Sequence, residues 1–495
     1  MTGLTNKCNL YSSMPRKLYL HLIPCIILIA AGISIVNSGC KKDITNSDPS
    51  FRLSFSSDTI IFDTVFTTIG SVTQQLLVHN TSNKKVVIAS VRLAGGSSSP
   101  FRINIDGISA FEVKDLEIGA KDSAYIFVKV TINPNQQDNP LIETDSIVFE
   151  TNGNQQDVKL VAWGQDAYFY NKDTLRGNVT LSNQKPHVIY GGLIVDSLCN
   201  LVIEAGCRLY FHNNSSMLIR NGAKIQVNGS LEDPVLFRGD HPGVAYSTIP
   251  GQWLGIEFEG GSEGNHFTYA DIQNGQVGIQ LDSSQIQNEA RLTLYNCIVH
   301  NMVNYGIRCI QSNLLALNCR ITNCGGYTVA IEGGKCEFRH CTLSNFWSSS
   351  ARSFPCMILG NNIMHDKGKA TASPLLYAYF GNCIVNGNGD DEIEQDSLSG
   401  VGFNFLFDHC LVQTGLVSKH QSAFMQCIVN KDAKFVDPWN GYFELDTLSP
   451  AKDSGALSII NLAPVQYPVR FDLKGIDRLT DTGPDMGVYE REENK

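Results

Sequence analysis

The chain has 495 residues, with 48 acidic against 38 basic side chains, a net charge of −10 and 43 glycines. The acidic balance argues against nucleic acid or an anionic lipid surface as the main partner, because both need a basic face. Sparse charge and abundant glycine suit strands joined by turns, and the length leaves room for two or three domains.

Taken in chain order, the first element is apolar. Leu18 to Gly39 contains no Asp, Glu, Lys or Arg; Arg16 and Lys17 precede it, and Ser38-Gly39-Cys40 closes it. A basic start, an apolar centre and small residues at the end are the pattern of a signal peptide. A retained membrane helix needs about 20 apolar residues, and His21 and Pro24 interrupt this stretch. Ser38-Gly39-Cys40 resembles a bacterial lipoprotein box, although Asn37 stands where that box usually has Leu. The resemblance implies cleavage before Cys40 and lipid on its thiol. Lys41-Lys42-Asp43 resembles the charged tag of surface-exported lipoproteins. The expected address is the cell outer membrane, on either its surface or its periplasmic side. Several acyl chains on one residue anchor stably where a single chain does not. Residues 1–40 are thus read as the leader with its lipidated cysteine, and 41–50 as a tether.

From 51 to 170 the pattern is short alternating or β-branched runs, such as SVTQQLLVHN, KKVVIASVRL and SAYIFVKVTI, separated by turn residues. Strands at this spacing predict a β-sandwich. The order of Leu77-Val78-His79-Asn80, Phe101-Arg102-Ile103 and Val161-Ala162-Trp163-Gly164 resembles the immunoglobulin-like modules of bacterial surface proteins. That resemblance bears on fold and is silent on function; the domain is read as a spacer.

From 186 to 490 the texture changes to Leu-x-Ile-x-x-Gly runs. These resemble the opening coils of right-handed parallel β-helices, with glycine at corners and aliphatic residues inside. Cys297, Cys319 and Cys341 follow at steps of 22 residues, and the same unit recurs at Cys383, Cys410 and Cys427. A fixed step of this size marks a solenoid. Cys297, Cys319 and Cys341 are expected to stack as buried, reduced thiols. Asn301, Asn323 and Asn345, four residues after each, are expected to form a hydrogen-bonded corner ladder. Two excursions, 346–380 and 387–404, interrupt the repeat, and insertions in solenoids gather on one face.

The C-terminal stretch reads LSPAKDSGA, FDLKGIDR and GPDMGVYE between 448 and 490. It resembles the end of many bacterial right-handed β-helix proteins. Asp453, Arg478 and Asp485 are expected to cap the solenoid, with Arg478 paired to an aspartate.

Chemistry is scarce. Gly260-Gly261-Ser262-Glu263-Gly264 matches a nucleophile elbow in letters, but a strand follows where that motif needs a helix. There is no HExxH, CxxC or phosphate-binding loop. Asp390, Asp391 and Glu392 on a glycine-rich loop are read first as a solvated loop, with no cofactor expected; they are also the candidate ligands should a hard cation such as calcium bind. Trp347, Phe354 and Phe403, in or near the excursions, are candidate stacking surfaces for sugars.

The expected protein is therefore all-β: an immunoglobulin-like β-sandwich followed by a right-handed parallel β-helix. The expected role is binding of a polysaccharide or surface glycan without catalysis. The alternatives are a polysaccharide lyase or glycoside hydrolase working in the helix groove, and a structural envelope protein. Mass spectrometry of the membrane-extracted protein is expected to find Cys40 acylated at the mature N-terminus; an intact leader would refute this.

Overall fold

The computed structural model describes residues 44–67, 70–105, 107–133, 141–241, 246–285, 289–364 and 369–492. The expected leader and Cys40 lie outside the described residues. Two compact units are present. The first runs to Ile60 and takes in Val72–Val130 and Thr144–Val161; the second takes in Ile61–Ser71, Thr131–Glu143 and the chain from Ala162 onward.

Alternation builds the sandwich. In Ser123–Val130 every second residue is buried, so Ala124, Ile126, Val128 and Val130 point inward. One five-stranded sheet orders Ser54–Phe55, Gln74–His79, Ser123–Val130, Phe101–Ile105 and Ile108–Ala110. The other orders Thr59–Phe66, Asn154–Gln165, Leu141–Thr151, Val86–Leu93 and Glu112–Ile118.

The second unit is a parallel β-helix whose strands form one continuous 26-stranded ladder. The ladder starts at Tyr168, ahead of the boundary at 186 expected from texture. The reason is exposure: Tyr168–Leu175 buries little, so it lacks the aliphatic pattern of later coils. A typical coil has strands Val277–Leu281, Leu292–Tyr295 and Ile298–Met302, and its neighbours pair with it in parallel register.

One corner recurs. Tyr269, Asn296, Asn318, His340, Asn382, His409 and Gln426 all have φ between 45° and 57°. Each directly precedes Ala270 or one of the repeat cysteines. This left-handed conformation is costly for residues with a Cβ, and Asn tolerates it best. Side-chain bonds between coils offset part of that cost: Asn318 Nδ2 donates to Asn296 Oδ1 at 2.7 Å, and Asn382 Nδ2 lies 2.9 Å from His340 Nε2. The turn then drives the next side chain inward. Cys297, Cys319 and Cys341 are fully buried, and each thiol donates to a main-chain carbonyl. None of the twelve cysteines among the described residues is in a disulfide.

The expected asparagine ladder is differently organised. Asn301 donates to Asn274 Oδ1 at 2.5 Å, and Asn274, Asn301 and Asn323 share positive φ. Asn323 and Asn345 bond main chain instead. Asn323 Oδ1 accepts from Phe346 N at 3.1 Å, and Asn345 Oδ1 accepts from Cys324 N at 3.1 Å and Trp347 N at 3.3 Å. They turn the chain out of the stack at residue 346. The excursion 346–380 is itself a coil, because Met357–Gly360 and Leu375–Gly381 join the ladder. Between these strands, Asn362–Met364 and Ala370–Ala372 form a separate antiparallel pair outside the ladder.

The expected cap is a strap. The segment after Asn430 packs on Ile428 of the last rung and then runs back along the side of the solenoid. Phe435, Phe443, Leu445, Met486 and Val488 pack on Ile384 and Leu411, and Tyr467 reaches His266 with a 2.8 Å bond. The strap also takes hold of the left-handed corner. Arg478 donates to Asn318 Oδ1 at 2.7 Å, Asn382 Oδ1 accepts from Ala456 N at 2.8 Å, and Gly487 N donates to Asn382 O at 2.7 Å. Arg478 pairs not with an aspartate but with Glu490, at 3.3 Å, both side chains being buried. Asp485 accepts from Asp453 N at 2.7 Å.

Burial raises the Asp485 acid from 3.8 to about 6 and Glu490 from 4.5 to about 8. The folded strap thus holds protons that the unfolded chain has released, so this contribution is full below the unfolded values and lost as pH rises through the folded ones. His340 works in the opposite sense. Burial, then the Arg478 charge, lowers its pKa below 6.5, so its contribution is present above 6.5 and lost as pH falls. The thermal midpoint is expected to fall as pH rises from about 7 to 9, and Glu490→Gln to flatten that fall; an unchanged slope would exclude Glu490 as its source.

Candidate functional site

The third strand of each coil presents two outward rows. The first, Ile298, Arg320, Thr342, Ile384, Leu411 and Ile428, lies in register from coil to coil, and the strap packs along it. The second is polar: Gln273, His300, Thr322, Ser344 and Asn386 stack in register, and Asn386 Nδ2 donates to Gln413 Oε1 at 2.8 Å. His300, Thr322 and Asn386 of this row line a groove, although Thr322, Ser344 and Asn386 are almost fully buried and Ser344 Oγ donates to Asn386 O at 2.8 Å.

The loop that leaves the stack at Asn345 forms one wall, with Phe346 and Trp347. The strap hairpin, Phe435–Asp437 with Tyr442–Leu445, forms the other. Its turn, Pro438–Asn440, ends on Gly441 at φ 86° and holds Trp439 out, 52% exposed. Trp439 meets Phe346 edge-on, with centroids 5.4 Å apart at 80°. Two cavities share Phe346. One, of about 440 Å³, includes His300, Arg320, Asn323, Trp347 and Trp439 in its lining; the other, of about 370 Å³, includes Asn386, Asp390, Gln413 and Lys431.

The expected aromatic residues do not come together. Trp347 lines the larger cavity but is buried, its Nε1 donating to Ser350 Oγ at 2.9 Å. Phe354 leans on Tyr327 at 5.2 Å beside a separate depression of about 290 Å³. Phe403 sits on Phe405, two coils from Trp347's rung, and is half-buried. Phe346 and Trp439 are the pair that borders the groove. Trp439 was legible only as a tryptophan in an irregular segment, and nothing in the pattern singled out Phe346.

The acidic loop diverges. Asp390 faces the smaller cavity. Asp391 accepts from Gly415 N at 3.0 Å and Ile393 N at 3.2 Å. Glu392 is fully buried; both guanidinium NH groups of Arg352 donate to it, as do Cys356 N at 2.8 Å and Gly389 N at 2.7 Å. The candidate ligand Glu392 is therefore the counter-charge of Arg352. Among the described residues no three His, Cys, Asp or Glu side chains gather as a metal would require.

Sequence reading also missed an acid pair at the first strand of the coils, Glu257 within Gly255–Phe258 and Asp282 just past Val277–Leu281. Burial, and then the facing Asp282, raises Glu257 above the ordinary range. Arg308 nearby is committed to Glu332 through bonds of 2.7 and 3.1 Å.

Residues 168–343 match the family description of a right-handed β-helix region. The chain is thus a parallel β-helix protein, with the sandwich outside the matched residues. No curated protein matches the chain. Among solved structures it is similar to a family 123 glycoside hydrolase from Clostridium perfringens, at 10% identity over 24% of this chain and 30% of that one, with a TM-score of 0.17. It is similar also to a PapD-like domain of human CEP192, at 13% identity over 26% of this chain and 94% of that one, TM-score 0.17. The periplasmic chaperone SfaE matches at 12% identity over 24% of this chain and 66% of that one, TM-score 0.16. Likenesses of this size carry no argument about function.

Arg352→Met would leave the buried Glu392 charge without its partner. A loss of about 3–5 kcal/mol is expected from breaking such a pair, read as a lowered denaturation midpoint of the β-helix. Replacing both residues with apolar side chains is expected to restore much of it, and a null effect of the single change would show that the pair does not hold the loop.

Proposed function

We propose that this is a lipid-anchored protein of the cell outer membrane that binds an extended glycan in the groove beside the strap, without cleaving it. The single observation that carries the reading is the groove itself: two cavities that share Phe346 in their linings, with Trp439 half-exposed at the rim of the larger one. Aromatic rings offer apolar faces on which sugars stack, while the exposed hydroxyls of Thr248, Ser348 and Ser349 beside the larger cavity can pair with sugar hydroxyls. The address rests on the uncharged leader and Cys40, and the net charge of −10 disfavours nucleic acid.

The polysaccharide-cleaving reading keeps one observation in its favour, the Glu257–Asp282 pair with its raised acid, since glycosidases work with two carboxylates of unequal acidity. It lacks a groove around that pair among the cavities described above.

Incubation of the purified full-length protein with a polysaccharide panel separates the readings. Binding is expected, independent of calcium, with Trp439→Ala weakening it at least tenfold, or about 1.4 kcal/mol, and no change in thermal midpoint. Release of reducing or unsaturated ends that is lost in Glu257→Gln would favour the enzyme. Absence of both binding and release would leave the structural envelope role.

A further inference from the structure

Resting on the glycan-binding reading, we infer that the groove takes a glycan that mixes acidic with neutral sugars, and that the acidic group, a carboxylate or a sulfate, seats on Arg320 in the larger cavity. Arg320 is a cation without a counter-charge. Its NH1 donates only to neutral oxygens, Gly441 O at 3.0 Å and the Tyr489 hydroxyl at 3.2 Å, and it is in no ion pair among the described residues. Its Nε is buried with no partner among them. Its NH2 donates to none of them and is not buried, so NH2 is the part of the guanidinium left for a ligand in the cavity it lines. The two strap bonds, and the Phe443 ring centre 5.7 Å away, hold the group in place. An incoming anion therefore meets a donor that is already ordered.

The rest of the lining suits an anion as well. None of the described residues that line this cavity is Asp or Glu. Asn323 spends its oxygen on Phe346 N, which leaves its amide donors. Thr248, Ser348 and Ser349 add exposed hydroxyls at the rim. His300 lies 3.3 Å from Asp271 Oδ1, which balances any charge it carries, so Arg320 sets the sign of the site. A half-buried guanidinium has lost part of its water without gaining an opposite charge, and an oxyanion supplies that charge through a hydrogen bond stronger than a neutral one.

The smaller cavity has the opposite sign. Asp390 and Asp432 share its lining with Lys431, which leaves one net negative charge. A second acidic sugar there meets a like charge, whereas a neutral sugar does not. A chain acidic at every ring thus gains at one cavity and loses at the other. A chain with no acid leaves Arg320 unpaired. A chain that alternates the two suits both cavities.

Titration calorimetry on the full-length protein tests this with oligomers of matched length. Hyaluronan alternates a carboxylated with a neutral sugar, and κ-carrageenan alternates a sulfated with a neutral one. Oligogalacturonate is acidic at every ring, and cellulose oligomers are uncharged. One alternating oligomer is expected to bind at least roughly tenfold more tightly than either control, and which one does so tells carboxylate from sulfate. Its affinity is expected to fall as salt rises, a readout that needs no variant. Arg320→Gln is expected to bring it down to the level of the cellulose oligomer, and Arg320→Lys to retain part of the gain; the thermal midpoint is read alongside, because Arg320 also ties the strap. Asp390→Asn with Asp432→Asn is expected to raise oligogalacturonate binding several-fold and to leave the cellulose oligomer unchanged. Tightest binding of the cellulose oligomer or of oligogalacturonate, still lost in Trp439→Ala, would overturn the inference and keep the groove. Absence of binding by every probe, or binding indifferent to Trp439→Ala, would overturn the glycan reading itself.

Discussion

The structure depends on a backbone constraint at one corner of each coil. Seven residues, from Tyr269 to Gln426, hold positive φ there. That geometry lets the chain bend sharply between two strands and send the next side chain into the core. A small side chain is needed at that point, and a thiol fills it while donating to a carbonyl, as Cys319 does to Leu317 O. The strained corner would be expensive alone. It is stabilised from outside, because the carbonyls and amides it turns outward are those that the strap grasps through Arg478, Ala456 and Gly487.

The same corner positions the groove. It sets which residues of the third strand face out and places the covered row, headed by Ile298, beside the polar row, headed by His300. The strap can lie on the first only because that row is largely apolar. Its hairpin then stands at the edge of the second, with Trp439 over Phe346. Arg320, in the covered row, links coil and wall through Gly441 and Tyr489. Cavity lining and clasp are thus made from adjacent rows of one sheet.

Much of this was legible in the residues. The step of 22 between Cys297, Cys319 and Cys341 gave the stack, and the alternation in SAYIFVKV gave the sandwich strands. The strap's course was also written there but passed over. Ile298-Val299, Ile384-Val385, Leu411-Val412 and Ile428-Val429 are adjacent apolar pairs, and a strand apolar on both faces is covered on both. Other features had no local signal. The partner of Arg478 lies twelve residues away at Glu490 rather than at a nearer aspartate, and only the folded strap decides between them. Glu392 looked like a ligand because its neighbours are acidic, whereas its partner Arg352 is 40 residues earlier. The rim pair, Phe346 and Trp439, meets only because a loop and a hairpin far apart in sequence converge.

Solenoids ordinarily resemble a stack of coins, in which each repeat touches its neighbours and the ends fray independently. The strap changes that behaviour. Its bond from Tyr467 to His266 joins residues 201 apart, and further bonds reach Asn318 and Asn382 on the way. Coils that would otherwise open one at a time share a single fastening, so the spanned region melts and forms as one cooperative block. The closing contacts have high sequence separation, which slows their formation. The last segment of the chain thereby becomes the step that commits coils hundreds of residues upstream to their final packing.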